Sequence, residues 1–522
     1  MIIKGKIKPG EYFDSVTLML VGRDLTGLAG VQDAAVIMGT RENLAILEAS
    51  GLLCAELAAA GETDLLLAVK AADGETAARA LDAAERLLAE RKGKTADQAA
   101  GFSVRSLDGA LRAQPGSQLA LISVAGRYAA AEAWNALDRG LHVMLFSDNV
   151  TLESEIALKR AARDRGLLVM GPDCGTAILN GVPLGFANAV ERGAVGIVAA
   201  AGTGLQEVSV IVSNAGAGIS QALGTGGRDG KEAVGGIMFV EALQALAGDP
   251  ATAVILLVSK PPHPSVMERV AETCRTISKP VVSIFLGAPP DGAGVFSTHA
   301  AATLEEAALV AARIARDGAA AAAEAAGCVR RELDARDATL LAEADPLAAG
   351  LAPGRRYLRG LFSGGTFCSE AQVILRGKLS GLWSNAPAGK AKALDDPLRS
   401  RENTLVDLGE DAFTVGRPHP MIDYDLRQRR MADELRDPET AVILLDVVLG
   451  FGSHPDPAGE LAPLVRDAAG KVCVVCSVTG TDRDPQNRSR VERALTEAGA
   501  RVMPSNAAAS LLAGAVCACR QR

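Results

Sequence analysis

The sequence predicts an α/β fold built from parallel sheets, and three observations carry that prediction. Short apolar runs alternate with longer helical patterns along the 522 residues. Strand, glycine turn and helix follow one another, as at Val195-Gly-Ile-Val-Ala199 running into Gly202-Thr203-Gly204. Finally, Asp249-Pro-Ala-Thr-Ala-Val-Ile-Leu-Leu257 returns 188 residues later as Asp437-Pro-Glu-Thr-Ala-Val-Ile-Leu-Leu445, with eight of nine positions identical. Strands separated by helices of this length form βαβ units and hence parallel sheets.

Residues 1–98 read as a small ferredoxin-like α/β sandwich. Asp14-Ser15 suit a helix cap before Val16 to Leu28. Val31 to Met38 and Asp64 to Val69 suit strands, 41–48 a helix, and Gly74 to Glu90 a long amphipathic helix. No chemistry is legible here, so packing or assembly is the expected role.

Residues 99–190 form the second predicted domain, entered through a polar linker at 95–105. Strands Leu119 to Val124, Leu141 to Phe146 and Leu167 to Met170 are separated by helices Ala129 to Asp138 and Leu152 to Asp164. Ligands of parallel sheets bind at the carboxyl ends of the strands. Those ends carry Ser123, Gly126 and Arg127, then Asp148 and Asn149, then Asp173.

The third domain, 191–326, holds two glycine loops. Gly202-Thr203-Gly204 opens a helix, where unpaired amides and the helix dipole favour an anion. A tight strand–helix turn also demands glycine, so the same residues fit a structural role. Gly226, Gly227 and Arg228 make a second loop with a cation beside it. Residues 327–354 read as a linker. The duplicate occupies 355–522, where Gly364-Gly365-Thr366 matches the first glycine turn. Two related domains pairing about a pseudo-twofold axis would face a guest with two similar turns.

Composition narrows the function. The net charge is −8, from 54 Lys+Arg and 62 Asp+Glu, and no basic cluster exists to neutralise nucleic-acid phosphates. With 2 Trp, 4 Tyr and 11 Phe, aromatic stacking platforms are scarce. Apolar runs are strand-sized, short of the ~20 residues that span a bilayer. Nine cysteines in this length do not make a disulfide scaffold, so a cytoplasmic location is expected. Cys473 and Cys476 have metal-like spacing but lie in an apolar strand, and no metal is expected. Cys174, His142 and His263 read as packing residues.

Several motifs stand in a familiar order. Gly171-Pro-Asp-Cys-Gly175, Ala194-Val-Gly-Ile-Val198, Gly202-Thr203, Gly226-Gly227 and Asp249-Pro-Ala-Thr252 resemble the succinyl-CoA synthetase α subunit. Phe362-Ser-Gly-Gly-Thr366, Val406-Asp-Leu-Gly409 and Leu444-Leu-Asp-Val447 resemble the carboxy-terminal domain of its β subunit. Tyr12-Phe-Asp-Ser-Val-Thr-Leu-Met19, Ser147-Asp-Asn-Val-Thr-Leu-Glu153, Val258-Ser-Lys-Pro-Pro262 and Gly416-Arg-Pro-His-Pro-Met-Ile-Asp423 resemble the FdrA proteins. The likeness spans nearly the whole chain.

The resemblance implies a Rossmann-like CoA-binding-type domain followed by two flavodoxin-like domains. It implies CoA as cofactor, contacted by Ser123, Gly126, Arg127, Asp148, Asn149 and Asp173. It places a phosphoryl-carrying histidine at His299, on an exposed loop before a helix; an exposed helix-start histidine without that role is the plainer reading. The synthetases orient that histidine with a carboxylate, where this chain has Lys260-Pro261-Pro262. No ATP-grasp region or Walker-type loop is legible, so nucleotide chemistry would come from a partner chain. The substrate implied is a small carboxylate or phosphorylated small molecule, handled through phosphoryl or thioester chemistry in a homo-oligomer or with partner subunits.

FdrA-type proteins also imply an alternative: a carbamoyltransferase chain acting on oxamate and carbamoyl phosphate in purine (allantoin) nitrogen catabolism. That chemistry would use Lys260, Arg228, Arg417 and the glycine-turn amides, with His419 as acid–base group. Buried-turn and exposed-lysine roles fit Arg417, His419 and Lys260 equally. A non-catalytic CoA- or anion-binding subunit is a third reading.

Overall fold

The computed structural model describes the chain apart from residues 12, 14, 41, 42, 45, 46, 49, 62, 99–103, 105, 289–297, 415–417 and 522. The expected Asp14 cap, part of the 41–48 helix and Arg417 therefore lie outside the described residues. Two compact units are present: Met1–Ser117 with Asp411–His419, and Gln118–Glu410 with Pro420–Arg522.

The first unit runs β1 (Ile2–Lys8), α1 (Ser15–Thr26), β2 (Val31–Met38), β3 (Leu65–Ala71), α2 (Gly74–Gln98) and α3 (Leu107–Ala113). The sheet order is β1-β3-β2, and both outer strands are antiparallel to β3. Side chains of a strand alternate between faces. Leu65, Leu67 and Val69 pack against Leu18, Val21 and Leu25 of α1 and Ala77, Ala84 and Leu88 of α2. Leu66 and Ala68 face Leu47, Leu52 and Leu57 on the other side.

The second unit opens with β4 (Leu119–Ile122), α4 (Gly126–Leu137), β5 (His142–Leu145), α5 (Leu152–Asp164) and β6 (Val169–Met170). These strands form a three-stranded parallel sheet of Rossmann-like βαβ connectivity. A hairpin of β7 (Thr176–Leu179) and β8 (Val182–Gly185) then edges the next sheet.

That sheet contains β9 (Arg192–Ala199), α6 (Gly202–Asn214), β10 (Ile219–Gly224), α7 (Ile237–Gly248), β11 (Val254–Ser259), α8 (Pro264–Arg275), β12 (Val281–Phe285), β13 (His299–Ala300) and α9 (Leu304–Asp317). Its order is β13-β12-β11-β9-β10-β7-β8. The residues expected as a linker run through α10 (Ala322–Ala342) and α11 (Ala344–Ala349).

The duplicate follows with β14 (Tyr357–Phe362), α12 (Gly365–Leu375), β15 (Leu382–Ser384), β16 (Lys392–Ala393), β17 (Asn403–Asp407), α13 (Asp425–Arg436), β18 (Thr440–Val448), α14 (Pro457–Ala468), β19 (Cys473–Thr479), α15 (Arg488–Ala498), β20 (Arg501–Met503) and α16 (Asn506–Gln521). Its order is β16-β15-β17-β14-β18-β19-β20. With the β7–β8 hairpin set aside in one sheet and edge strands β15 and β16 in the other, the five remaining strands of each have the flavodoxin-like order 2-1-3-4-5, whose reversal of direction leaves a crevice between the first and third strands. Here those strands are β9 and β11, and β14 and β18.

Four helices lie between the two sheets and share one core. Val208 and Val212 of α6, Ala307 and Val310 of α9, Phe367 and Ala371 of α12, and Leu512 and Val516 of α16 all belong to it. Two buried glutamates tie the halves reciprocally. Glu207 of α6 accepts from the Asn506 amide at the start of α16 (3.0 Å) and from Thr479 Oγ1 (2.6 Å). Glu370 of α12 accepts from the Leu304 amide at the start of α9 (2.8 Å) and from Asn506 Nδ2 (2.8 Å). Each carboxyl thus satisfies orphan amides of the other half's last helix. Burial pushes both carboxyls up, Glu370 to about 7.

Candidate functional site: paired glycine turns beside a Rossmann-like sheet edge

The three loops at the carboxyl edge of the Rossmann-like sheet are stitched together. Ser147 Oγ donates to Val124 O (2.5 Å), Asp173 N to Ser147 O (3.1 Å) and Cys174 N to Leu145 O (3.2 Å). Ser123, Asp148, Asn149 and Asp173 lie on these loops, and Gly126 and Arg127 begin α4. Gly126 opens α4 against the backbone of Asp148 and Asn149, so close that no side chain fits between them. Asn149 and Asp173 adopt left-handed backbone conformations (φ 54° and 57°), which Asn and Asp tolerate better than most residues. Arg127 sits 4.7 Å from the ring centroid of exposed Tyr128.

The first glycine turn follows β9. Ala201 caps α6 without any side-chain hydrogen bond, and Gly202 at its tip is exposed. Among the described residues no side chain bonds the amides of Gly202, Thr203 or Gly204. Gly202 lies beside the Thr176 hydroxyl, and the Gly226 backbone (φ 83°) abuts Gly171 and Pro172. This turn, and the separate loop after β10, therefore lie beside the segment that follows the last strand of the Rossmann-like sheet. Arg228 does not complete it. Its Nε pairs with buried Glu155 (2.8 Å) and its Nη2 donates to Val150 O (2.8 Å). Lys159, fully buried, pairs with Glu155 and Asp229 at 2.8 Å each. A buried carboxylate shared in this way needs both cations, so Arg228 is structural.

The two turns meet. A side chain on Gly364 would strike Thr203 at 2.8 Å, and one on Gly204 would strike Thr366 at 2.9 Å. Small residues at both positions let the starts of α6 and α12 approach about the pseudo-twofold axis. Neither helix start has a side-chain cap, but the residues just before the two turns are chemically unlike. In the second, Asp446 accepts from Ser363 N (2.8 Å), Ser363 Oγ (2.8 Å) and Gly364 N (2.9 Å). Arg427 Nη2 meets the same carboxylate at 2.6 Å, and both side chains are fully buried. Asp407 stands beside Gly365 and accepts from Gly409 N (2.9 Å). Burial pushes its carboxyl up to about 7.

Lys260, at the carboxyl end of β11, lines a cleft of about 410 Å³ with Leu286 and Gly287. Gln372 and Val373 of α12 and Arg376 just after it also line the cleft. Gln372 fixes the adjoining loop by bonding Ala386 O (3.1 Å) and Ala388 N (2.7 Å).

His299 falls elsewhere. It is not on an exposed loop but in β13, paired with Val282 near the amino end of β12. The carboxyl end at Phe285 is three residues on, roughly 10 Å at strand spacing. The ring is 14% exposed and its Nε2 lies 3.1 Å from Glu306 Oε1. Burial opposes ionisation of Glu306, but His299, the Ala302 amide and Arg330 together hold its carboxyl down at about 2. His419 belongs to the compact unit that contains the amino terminus. The fold thus brings Gly202–Gly204 to Gly364–Thr366 and leaves Arg228 and His299 in ion-pair networks of their own.

Asp446, Arg427, Asp407 and Arg376 were not singled out as site residues from the sequence. One signal existed: Asp446 is a charge inside the apolar run Ala441 to Val448, where the repeat has Val258.

A comparison over full length decides the family. The chain is 41% identical over 522 residues to the Escherichia coli protein YahF, described as uncharacterized, covering 98% of each. This chain belongs to the YahF family. Residues 361–516 match the CoA-ligase family model, and 1–103 match the AllF heavy metal-associated domain. The chain is also 28% identical over 190 residues to the ADP-forming succinate–CoA ligase α subunit of Methanothermobacter thermautotrophicus, covering 35% of this chain and 62% of that one. Among solved structures, PH0766 from Pyrococcus horikoshii aligns over 81% of this chain and 87% of its own, with 13% identity and a TM-score of 0.33.

This YahF-family protein therefore carries a CoA-ligase domain akin to succinyl-CoA synthetases. Its amino-terminal domain does not fit a heavy metal. Residues 1–103 contain one cysteine, Cys54, and no histidine. Burial raises the Cys54 thiol, whereas soft metals require sets of thiolates or imidazoles. Among the described residues no group of three His, Cys, Asp or Glu could hold a metal ion, and no helix is long and apolar enough to cross a membrane.

Proposed function

We propose that the protein acts as an acyl-CoA ligase-like chain on a small carboxylate. CoA would lie along Ser123, Gly126, Arg127, Asp148, Asn149 and Asp173, with the anionic phosphoryl group or acyl phosphate at Gly202–Gly204. The nucleotide would be handled by a partner chain. The observation that carries this reading is the uncapped turn at α6, whose Gly202 lies beside Thr176, just past the loop that follows the last strand of the Rossmann-like sheet. Free amides at a helix start stabilise an oxyanion without any reorganisation. Lys260 and Arg376 would draw the carboxylate into the cleft.

His299, tied to Glu306 away from the turns, is not part of this proposal as a phosphoryl carrier. The test is calorimetry with CoA and with inorganic phosphate. CoA should bind the native chain and fail to bind Gly126→Ala, whose methyl meets the Asp148 carbonyl. Gly202→Asp adds a negative charge at the exposed tip and should weaken phosphate binding at least tenfold. CoA binding unaltered in Gly126→Ala would refute the assignment. Phosphate release from carbamoyl phosphate with oxamate, without CoA, would transfer the same turn to carbamoyl chemistry.

A further inference from the structure

The duplication allows Asp407 to be read against its twin. Asp407 ends β17 and pairs in register with Phe362 of β14, three residues before Gly365. In the first half Ala199 stands three residues before Gly202 and pairs with Gly224. The second half thus sets a carboxyl group where the first has a glycine. That group is 3% exposed and rigidly placed. Asn385 clasps its backbone on both sides, accepting from Asp407 N (2.9 Å) and donating to Asp407 O (2.8 Å). Its Oδ1 accepts from Gly409 N (2.9 Å). Its Oδ2 is aimed at the start of α12, 2.5 Å from the place a β-carbon on Gly365 would take. Among the described residues nothing hydrogen-bonds this Oδ2. The first amides of α12 have no side-chain partner either, since Gly364 caps the helix without one.

We infer that Asp407 is the proton-donating group of the paired turns: an oxyanion lodged between the starts of α6 and α12 binds together with one proton, held on Asp407 Oδ2. The inference rests on the reading of the turns as an anion site and adds the protonation state in which that site is filled. The two starts are close enough to share one guest, because a side chain on Gly204 would meet Thr366 at 2.9 Å and one on Gly364 would meet Thr203 at 2.8 Å. A carboxylate and an anion do not coexist in a buried crevice, since each like charge raises the proton affinity of the other. A neutral acid does fit there. Its O–H donates to the anion as the free amides do, and a cluster made only of donors matches a ligand made only of acceptors. The proton comes from solvent, and no bond within the anion changes. The surroundings keep that proton at hand. Burial pushes the Asp407 carboxyl up to about 7; Glu410 and Asp446 act in the same direction, and the Gly409 amide and Lys260 oppose them. Asp446 is itself paired with Arg427; at the repeat's 188-residue spacing these two replace Val258 and Phe239 of the first half. Cys368, the remaining titratable neighbour, is held neutral by burial of its thiol.

Inorganic sulfate is the probe, a tetrahedral dianion that carries no proton of its own near neutral pH. Titrated calorimetrically into the full chain, it should bind about tenfold more weakly at pH 8 than at pH 6, the ratio for one group that titrates at about 7. In Asp407→Asn, whose amide donates at every pH, the affinity should be the same at both. A native affinity independent of pH, or an equal fall in Asp407→Asn, would overturn this inference and leave the anion reading of the turns intact. No sulfate binding by the native chain at pH 6 would overturn both. If Asp407→Asn does not fold, the native chain decides alone. Its binding of sulfate at pH 7 should take up about half a proton, read from the heats in two buffers of unlike ionisation enthalpy, and zero uptake would overturn the assignment.

Discussion

The two halves of the duplication share the reciprocal glutamate caps that join them and differ in the device each keeps to itself. Glu207 and Glu370 occupy the same place on α6 and α12, and each caps the other half's final helix. Thr203 meets Gly364, and its counterpart Thr366 meets Gly204. Behind the turns, by contrast, Val258 and Phe239 stand against Asp446 and Arg427. A group that must fit its twin across the axis is constrained twice over. A group that serves one turn alone can change without disturbing the joint.

The largest effect should come from splitting the ionic pair. Arg427→Met strands Asp446 without its cation and should cost about 3–5 kcal/mol. Converting both residues to their first-half counterparts, Arg427→Phe with Asp446→Val, should cost clearly less by chemical denaturation. Equal losses would show that the halves are not interchangeable in packing.

The next effect lies in pH and belongs to one half. The first turn of α9 carries Glu305 and Glu306, where α16 has Ala507 and Ala508. Glu306 is held at about 2, below its ordinary value, so its contribution is present above about pH 4.5 and disappears as pH falls towards 2. That contribution is up to about 3 kcal/mol, and Glu306→Gln should flatten the acid limb of melting temperature against pH. Glu370, raised to about 7, has the opposite sign. Its contribution is complete below about pH 4.5 and is lost as pH rises through 7, so Glu370→Gln should flatten the alkaline limb.

Symmetry at the joint predicts matched losses. Glu207→Leu and Glu370→Leu each leave buried donors unpaired and should each cost about 1–3 kcal/mol. A large disparity in denaturation midpoint would break the reciprocal-cap account. The smallest effect should be His299→Ala, about 1 kcal/mol or less, because Arg330 (2.7 Å) still holds Glu306. Loss of covalent phosphorylation in that variant would restore the carrier role that its place near the amino end of β12 argues against.

Much of this architecture is legible without coordinates. The βαβ alternation, the duplication and both glycine turns are local patterns, because apolar period and turn chemistry act over a few residues. Expected strand Val31 to Met38 and helix Leu152 to Asp164 match the observed bounds. Strand β1 was not anticipated, since Lys4, Lys6 and Lys8 mask its alternation with charge. The β7–β8 hairpin was missed because a four-residue strand beside Asn180-Gly181 carries little pattern.

Charged side chains were the harder part. Arg228 beside glycines reads like an anion ligand until Glu155, brought in by α5, claims it. His299 sits at the resemblance's position, yet strand register sets it near the wrong end of β12. The order of residues alone determined the α/β class, the repeat and the places where backbone amides would lie free, since these depend on near neighbours. Only the folded chain decided which amides stay free and which cations are already spent. Those outcomes depend on charges that come together from far apart in sequence, where a buried ion takes whatever partner the packing delivers.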